Sequence, residues 1–199
     1  MPRPPDLAKR RELLERIYDY VARNGLSGLS LRPLAEELGT SDRMLLYYFG
    51  TKERLITEVL AMDDRRPMPR VRDRLETAGP PEDAAGMRRL MEEVWQLFTD
   101  PDLRASFPLH LEVMSDSLLH PERYGPVLKD IVDQWTDLLT SALLGTGVPE
   151  DRARSHATLL VGAIFGLLLA PLTNGRWDDA TAAYHDLLDC LEPAWRAAR

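Results

Sequence analysis

Residues 30–52 read SLRPLAEELGTSDRMLLYYFGTK, from Ser30 to Lys52, and this stretch decides the fold. Ser30 is placed to cap a helix, because a serine hydroxyl can accept an amide hydrogen that a helix start leaves unpaired. Leu31, Leu34, Ala35 and Leu38 then recur at helical spacing and share one face. Pro33 falls in the first turn, where its missing N–H matters little. Gly39 turns the chain, and Ser41 caps a further helix of about two turns. Ala35 is small where the two helices would cross, and Leu34, Leu38, Leu45 and Phe49 supply a common core. That geometry is a helix-turn-helix, although an ordinary helical hairpin would share it.

The outer face of the second short helix narrows the reading. Leu45, Tyr48 and Phe49 are spaced to point largely inward, which leaves Asp42, Arg43, Met44, Leu46 and Tyr47 on outer or flanking faces. An exposed patch of Met, Leu and Tyr invites aggregation unless it has a partner. A major groove suits these residue types: Arg43 can bond guanine O6 and N7, while Met44 and Leu46 can touch thymine methyls. Lys52 opens the next helix, where backbone N–H groups and an ammonium can together hold a phosphate.

Working outward, Asp6 can cap a first helix with Leu13, Leu14, Ile17 and Val21 facing inward, ended by Asn24-Gly25. Residues from about Lys9 to Leu55 resemble the DNA-binding domain of the tetracycline-repressor (TetR) family. The run Gly39-Thr40-Ser41 followed by Leu45-Leu46-Tyr47-Tyr48-Phe49 and Lys52 carries most of that resemblance. It implies a helix-turn-helix made by the second and third helices, followed by an all-helical regulatory body. It also implies that Lys52 anchors phosphate, that Tyr48 is the recognition-helix tyrosine, and that Arg32 faces the DNA backbone. The set expected to meet DNA is therefore Arg32, Thr40, Ser41, Asp42, Arg43, Met44, Leu46, Tyr47, Tyr48 and Lys52. Two positions depart from the family: Asp42 stands where a small or basic residue is frequent, and Leu46 where tyrosine is. Asp42 would either accept from a cytosine amine or stabilise the helix N-terminus.

No segment alternates apolar and polar residues long enough for a strand, so the chain reads as all-α. A fourth helix is expected from Lys52 to about Asp64. Pro67 and Pro69 should keep Arg65 to Arg70 out of regular helix, with a short helical piece over Arg72 to Ala78 and a break at Gly79-Pro80. Longer helices follow at roughly Glu82 to Thr99, Leu103 to Leu119, Pro126 to Leu144 and Pro149 to Asn174. A last one spans Asp178 to about Ala197. Pro108 should kink its helix, Pro171 should end or bend its own, and Pro193 should interrupt or kink the last. The organisation expected is a helix-turn-helix domain over residues 1–50, a linking helix over 51–64, and an effector-binding and dimerisation domain over 65–199.

The net charge of −7 is unevenly spread. Met1 to Leu60 holds 10 Lys and Arg against 9 Asp and Glu, whereas the remainder holds 15 against 23. The acidity belongs to the body, and a near-neutral head can still present basic groups on one face. Cys190 is the only cysteine, which excludes an internal disulfide and most structural zinc sites; its apolar helical setting predicts a buried thiol. Met1-Pro2-Arg3-Pro4-Pro5 reads as a short extended arm and not as a secretory leader. The apolar run Leu159 to Leu172 falls short of the roughly 20 residues of a membrane span, so a cytoplasmic protein is expected. His110, His120, His156 and His185 lack metal-ligand spacing, and there is no phosphate loop or nucleophile elbow. No enzyme, metal or cofactor is expected.

Within the body, Leu159, Leu160, Ile164, Phe165, Leu167, Leu168 and Leu169 cover most of one helix, and Gly162 and Gly166 line a narrow strip where another helix can approach. In the family resembled here the last two helices pair with their two-fold mates, which makes Gly162, Phe165, Gly166, Leu187 and Leu191 candidates for a homodimer interface, with Leu188 and Trp195 beside them. Trp95, Phe98, Phe107, His110, Met114 and Trp135 suit a small-molecule effector cavity with few polar groups. The function expected is a regulator, a repressor released from a palindromic duplex by a small apolar effector. The competing reading is a helical ligand-binding protein that has lost DNA binding.

Overall fold

The computed structural model describes residues 6–62 and 67–197, apart from the side chains of 67, 102, 105, 106 and 124–128. The proline-rich arm at 1–5 and the expected end of the fourth helix at 63–64 lie outside them. Among the described residues the regular structure is helical throughout: α1 (Leu7–Asn24), α2 (Leu31–Glu37), α3 (Asp42–Phe49), α4 (Lys52–Leu60), α5 (Pro67–Ala78), α6 (Ala84–Thr99), α7 (Pro101–Leu119), α8 (Pro121–Gly145), α9 (Glu150–Asn174) and α10 (Trp177–Arg196). The chain divides into two compact units, one of residues 1–63 with 105–128 and one of 64–104 with 129–199.

Local chemistry sets the helix ends of the first unit. Asp6 accepts from the amides of Ala8 and Lys9, and Gly25 closes α1 at a φ of 73° that L side chains rarely adopt. Ser30 takes the cap position of α2 but makes no side-chain cap bond, contrary to the sequence expectation. Leu13, Ile17 and Val21 of α1, Leu34, Ala35 and Leu38 of α2, Leu45 and Phe49 of α3, and Leu55, Ile56 and Val59 of α4 form one buried core. Leu109 and Val113 of α7 belong to the same core, although they lie 50 or more residues beyond Val59 in the chain.

In the second unit α10 packs on α6 and α9. Trp95 stacks on Tyr184 with ring centroids 4.5 Å apart, and its indole N–H donates to Thr181 Oγ1 at 3.0 Å. Tyr184 Oη donates to the Met91 carbonyl at 2.9 Å, and burial pushes the phenol pKa up. Trp195 Nε1–H donates to Nδ1 of His156 at 3.0 Å, a buried pair that ties α10 to α9. Arg88 meets Asp189 at 2.6 Å, Glu92 at 2.9 Å and Glu192 at 3.0 Å, so three carboxylates from α6 and α10 share one guanidinium.

Prolines are where the sequence reading errs. Pro67 and Pro69 begin α5 instead of excluding it, because the first turn of a helix needs no amide donors. α8 likewise starts at Pro121 and runs through Gly125 and Pro126, five residues before the expected start. By contrast, α7, α9 and α10 continue through Pro108, Pro171 and Pro193, close to the bounds expected for them. Pro171 and Pro193 both sit near the end of their helices; α9 is ended by Gly175, in the left-handed conformation, whose N–H returns to the Pro171 carbonyl at 2.8 Å. Cys190 is exposed, not buried, since Tyr184, Leu188, Leu191 and Trp195 take the inward face of α10.

Candidate nucleic-acid interface

The turn between α2 and α3 is fixed by backbone chemistry. Gly39 N–H bonds to the Glu36 carbonyl at 3.2 Å and Thr40 N–H to that of Ala35 at 2.9 Å, which satisfies the end of α2 with Gly39 at a φ of 65°. Ser41 Oγ accepts from Met44 N–H at 3.2 Å and starts α3. The carboxylate of Asp42 accepts from Arg43 N–H at 2.8 Å, so of its two expected roles the helix-terminal one is the one its geometry fits.

α3 is anchored on one side and open on the other. Leu45 and Phe49 are almost fully buried, whereas Met44, Leu46 and Tyr47 are 39%, 42% and 47% exposed. Asp42 and Arg43 are also exposed, and Tyr48 is half-buried with its ring edge-on to Tyr47 at 5.2 Å. Arg32 is exposed and pairs with Glu36 at 3.3 Å, a contact that solvent makes weak and easily exchanged for a phosphate. Thr40 is half-buried and Ser41 exposed. The ten residues expected to meet DNA all lie in this unit, on α2, α3, the turn between them and the start of α4.

Three features here have no signature in the sequence. Arg10 of α1 donates to the Tyr48 carbonyl at 3.3 Å, pairs with Glu58 and lies over the Phe49 ring at 5.0 Å, which joins α1, α3 and α4. Lys52 Nζ donates to the Leu29 carbonyl in the α1–α2 loop. Glu112 of α7 accepts from the amides of Leu26, at 2.7 Å, and of Ser27 in the same loop. A half-buried arginine looks like its exposed neighbours in sequence, and a partner 86 residues away leaves no local pattern.

The candidate effector residues divide between the units. Phe107 is buried and His110 and Met114 half-buried on α7 of the first unit, with the Phe107 and His110 rings 6.5 Å apart. Trp95, Phe98 and Trp135 lie in the second, where Phe98 and Trp135 rings sit 5.5 Å apart and Trp95 is stacked into the core. The candidate dimer residues also divide. Gly162 and Gly166 are exposed, and an added Cβ at either would meet nothing within 4 Å. Phe165 and Leu187 are half-buried, while Leu191, Leu188 and Trp195 are buried inside their own unit, on the face of α10 that also carries Tyr184.

Comparisons with known proteins agree with this geometry. The family described as "Bacterial regulatory proteins, tetR family" matches residues 13–59, and "Transcriptional regulator LmrA/YxaF-like, C-terminal domain" matches residues 83–177. A solved chain from Saccharomonospora viridis, described as a transcriptional regulator in complex with choline, is 26% identical with a TM-score of 0.74, over 92% of this chain and 97% of that one. A TetR-family chain from Rhodococcus sp. superposes with a TM-score of 0.69 at 18% identity, over 95% of this chain and 100% of that one. No curated protein matches the sequence.

Proposed function

The chain belongs to the TetR family of transcriptional regulators, and from that premise we propose that it is a homodimeric repressor which releases a near-palindromic operator when a small effector binds. The observation that carries the DNA-binding half is the two-sided character of α3. Leu45 and Phe49 fix the helix to its core while Met44, Leu46 and Tyr47 stand in solvent beside Arg43. Three large apolar side chains on one short helix are costly to expose, and the methyl and guanine edges of a major groove would cover them. Two such helices related by a two-fold axis would read half-sites roughly 34 Å apart. Lys52, and Arg32 once it leaves Glu36, would supply the phosphate contacts that fix the register.

The dimer would form on the outward stripe of α9. Leu159 and Leu169 are each 48% exposed there, with Gly162 and Gly166 between them, so a two-fold mate could approach closely along the glycine strip. The effector would be small and largely apolar, neutral or cationic. The acidic balance of the body disfavours an anion, and the paired rings of Phe98 and Trp135 suit an apolar or quaternary ammonium group. Choline in the S. viridis relative is of the latter kind. A ligand held instead by Phe107, His110 and Met114 of α7 would act within the head's own unit, because the same helix sends Leu109 and Val113 into the core of the head. Weakening DNA binding about a hundredfold requires the effector to prefer the released state by about 2.7 kcal/mol.

An electrophoretic shift with the duplex upstream of the protein's own gene tests the reading. Retarded DNA that is released by choline or a related quaternary amine is the expected result. Ligand binding with no shift on any upstream duplex would favour the alternative, a ligand-binding protein without DNA affinity.

A further inference from the structure

The loop between α1 and α2 is held from below by two polar pins, one at each end. At its start Glu112 of α7 accepts from the amides of Leu26 and Ser27 with its two carboxylate oxygens, one to each. At its end the Leu29 carbonyl accepts from Lys52 Nζ, at the first residue of α4. Between these pins the Leu29 N–H bonds to the Leu26 carbonyl at 3.0 Å, and the Leu29 side chain is buried in the core of the head. Gly28 has a φ of 74° and open space around the position of a Cβ, and Ser27 is exposed. Leu26, Ser27, Lys52 and Glu112 all line one cleft of about 620 Å³. Ser27 and Gly28 are exposed on this cleft, so packing holds the loop only through Leu26 and Leu29.

The approach of α7 to the loop is close. A Cβ on Gly25 would stand 2.9 Å from Glu112 Oε2, so glycine there serves the carboxylate as well as its own positive φ. Arg123, which lines the same cleft, is engaged by Asp116 at 3.5 Å. The carboxylate of Glu112 is thus committed to two backbone donors, and removing it would leave both without their acceptor. Leu29, bonded through its N–H to the Leu26 carbonyl at 3.0 Å, would then turn its own carbonyl as Leu26 shifts. An ammonium has three donors, and one of those on Lys52 is used to aim the group by means of this carbonyl.

We infer that Glu112 is a positioning residue for DNA binding, which holds the α1–α2 loop so that the Leu29 carbonyl points Lys52 at a backbone phosphate. The inference rests on the DNA-binding role proposed above for Lys52. It also gives α7 a polar connection to the DNA-facing surface, separate from its apolar contact through Leu109 and Val113.

A double-mutant cycle on the full-length protein tests it, using the duplex that the wild type itself enriches from a randomised library. Glu112→Ala is expected to weaken binding about tenfold and to lower the salt slope by about one phosphate contact. In a Lys52→Ala background the same change should cost less than about twofold, because its route is already gone. Equal losses in both backgrounds would make Glu112 a purely structural residue and overturn the inference, as would no loss in either. If Glu112→Ala does not fold, Glu112→Gln, which keeps the volume and one acceptor, enters the same cycle with the same criterion. Amide exchange separates the two ideas. Ser27 should be protected in the wild type and exposed in the variant; an unprotected wild-type Ser27 overturns the latch even if DNA binds. A wild type that enriches no duplex overturns the DNA reading, and with it this role, whatever the amides show.

Discussion

Two helices of this protein, α3 and α9, expose apolar side chains to solvent, and they do so in different company. On α3 the exposed Met44, Leu46 and Tyr47 stand beside Ser41, Asp42 and Arg43, on a helix of eight residues. On α9 the exposed Leu159 and Leu169 flank Gly162 and Gly166, with Ala170 alongside, on a helix of 25 residues. A short helix that mixes apolar bulk with a cation fits a partner that is itself polar and grooved. A long stripe of small and aliphatic residues with no charge between Leu159 and Leu169 offers only area and close approach, which a second copy of the same stripe complements. Exposure alone therefore does not distinguish the two surfaces; the polar residues among the apolar ones do.

The largest test of that contrast is Gly166→Leu. A side chain on the strip would wedge two copies apart, and a two-fold interface suffers it twice, at a cost of about 2–6 kcal/mol in dimer stability. Light scattering should show monomer at concentrations where the wild type is dimeric, with the subunit's own melting transition little changed because the added Cβ meets nothing within it. An unchanged dimer would remove α9 from the interface.

Arg43→Ala should come next, costing about 1–3 kcal/mol on sites with guanine at the contacted position and little on others. Selection from a random duplex library reads this as a relaxed base preference. The same loss on every sequence would turn α3 from a reading surface into a merely adhesive one.

Lys52→Ala should act oppositely, weakening all duplexes alike while the slope of affinity against salt falls by about one contact. A changed sequence preference with an unchanged slope would contradict its phosphate role.

The smallest effect concerns the inner side of α9. His156 takes the Trp195 indole proton on Nδ1, so it must be neutral, and burial, together with the nearby Arg152, holds its pKa below the usual 6.5. The His156 imidazole therefore takes up a proton from solvent more readily in the unfolded chain than in the folded one. The stabilising contribution of the neutral pair is therefore fully present above about 6.5 and is lost as pH falls from there towards the folded value. Thermal melting followed from neutral to mildly acidic pH should show a loss that His156→Gln, whose carbonyl can accept from the indole, reduces. A pH dependence identical in that variant would assign the loss to other groups.

Much of the head was legible because its information is local. Gly39, Ser41, the spacing of Leu34, Leu38, Leu45 and Phe49, and the outward placement of Met44, Leu46 and Tyr47 all follow from helical periodicity over a few turns. Prolines were misread for a related reason. Periodicity does not say whether Pro67 falls in the first turn of a helix, where it is harmless, or in the middle, where it is not.

The body was less legible. Leu187, Leu188, Leu191 and Trp195 form an apolar set on α10 that a sequence cannot divide between its own core and a partner, and the fold gives Leu188, Leu191 and Trp195 to the core. The same packing leaves Cys190 outside.

From its sequence alone this chain determined an all-helical architecture, a helix-turn-helix near its start and the outward face of α3. Each of those follows from side-chain spacing within a few turns and from the hydrogen bonds that helix ends require. Tertiary structure alone decided that α7 belongs with the head, that Glu112 grips a loop 86 residues away, that Arg10 joins three helices, and which apolar residues of α9 and α10 remain exposed. Those outcomes depend on which distant segments share a core. The desolvation and pairing that settle them arise only when segments far apart in the chain are brought within contact distance.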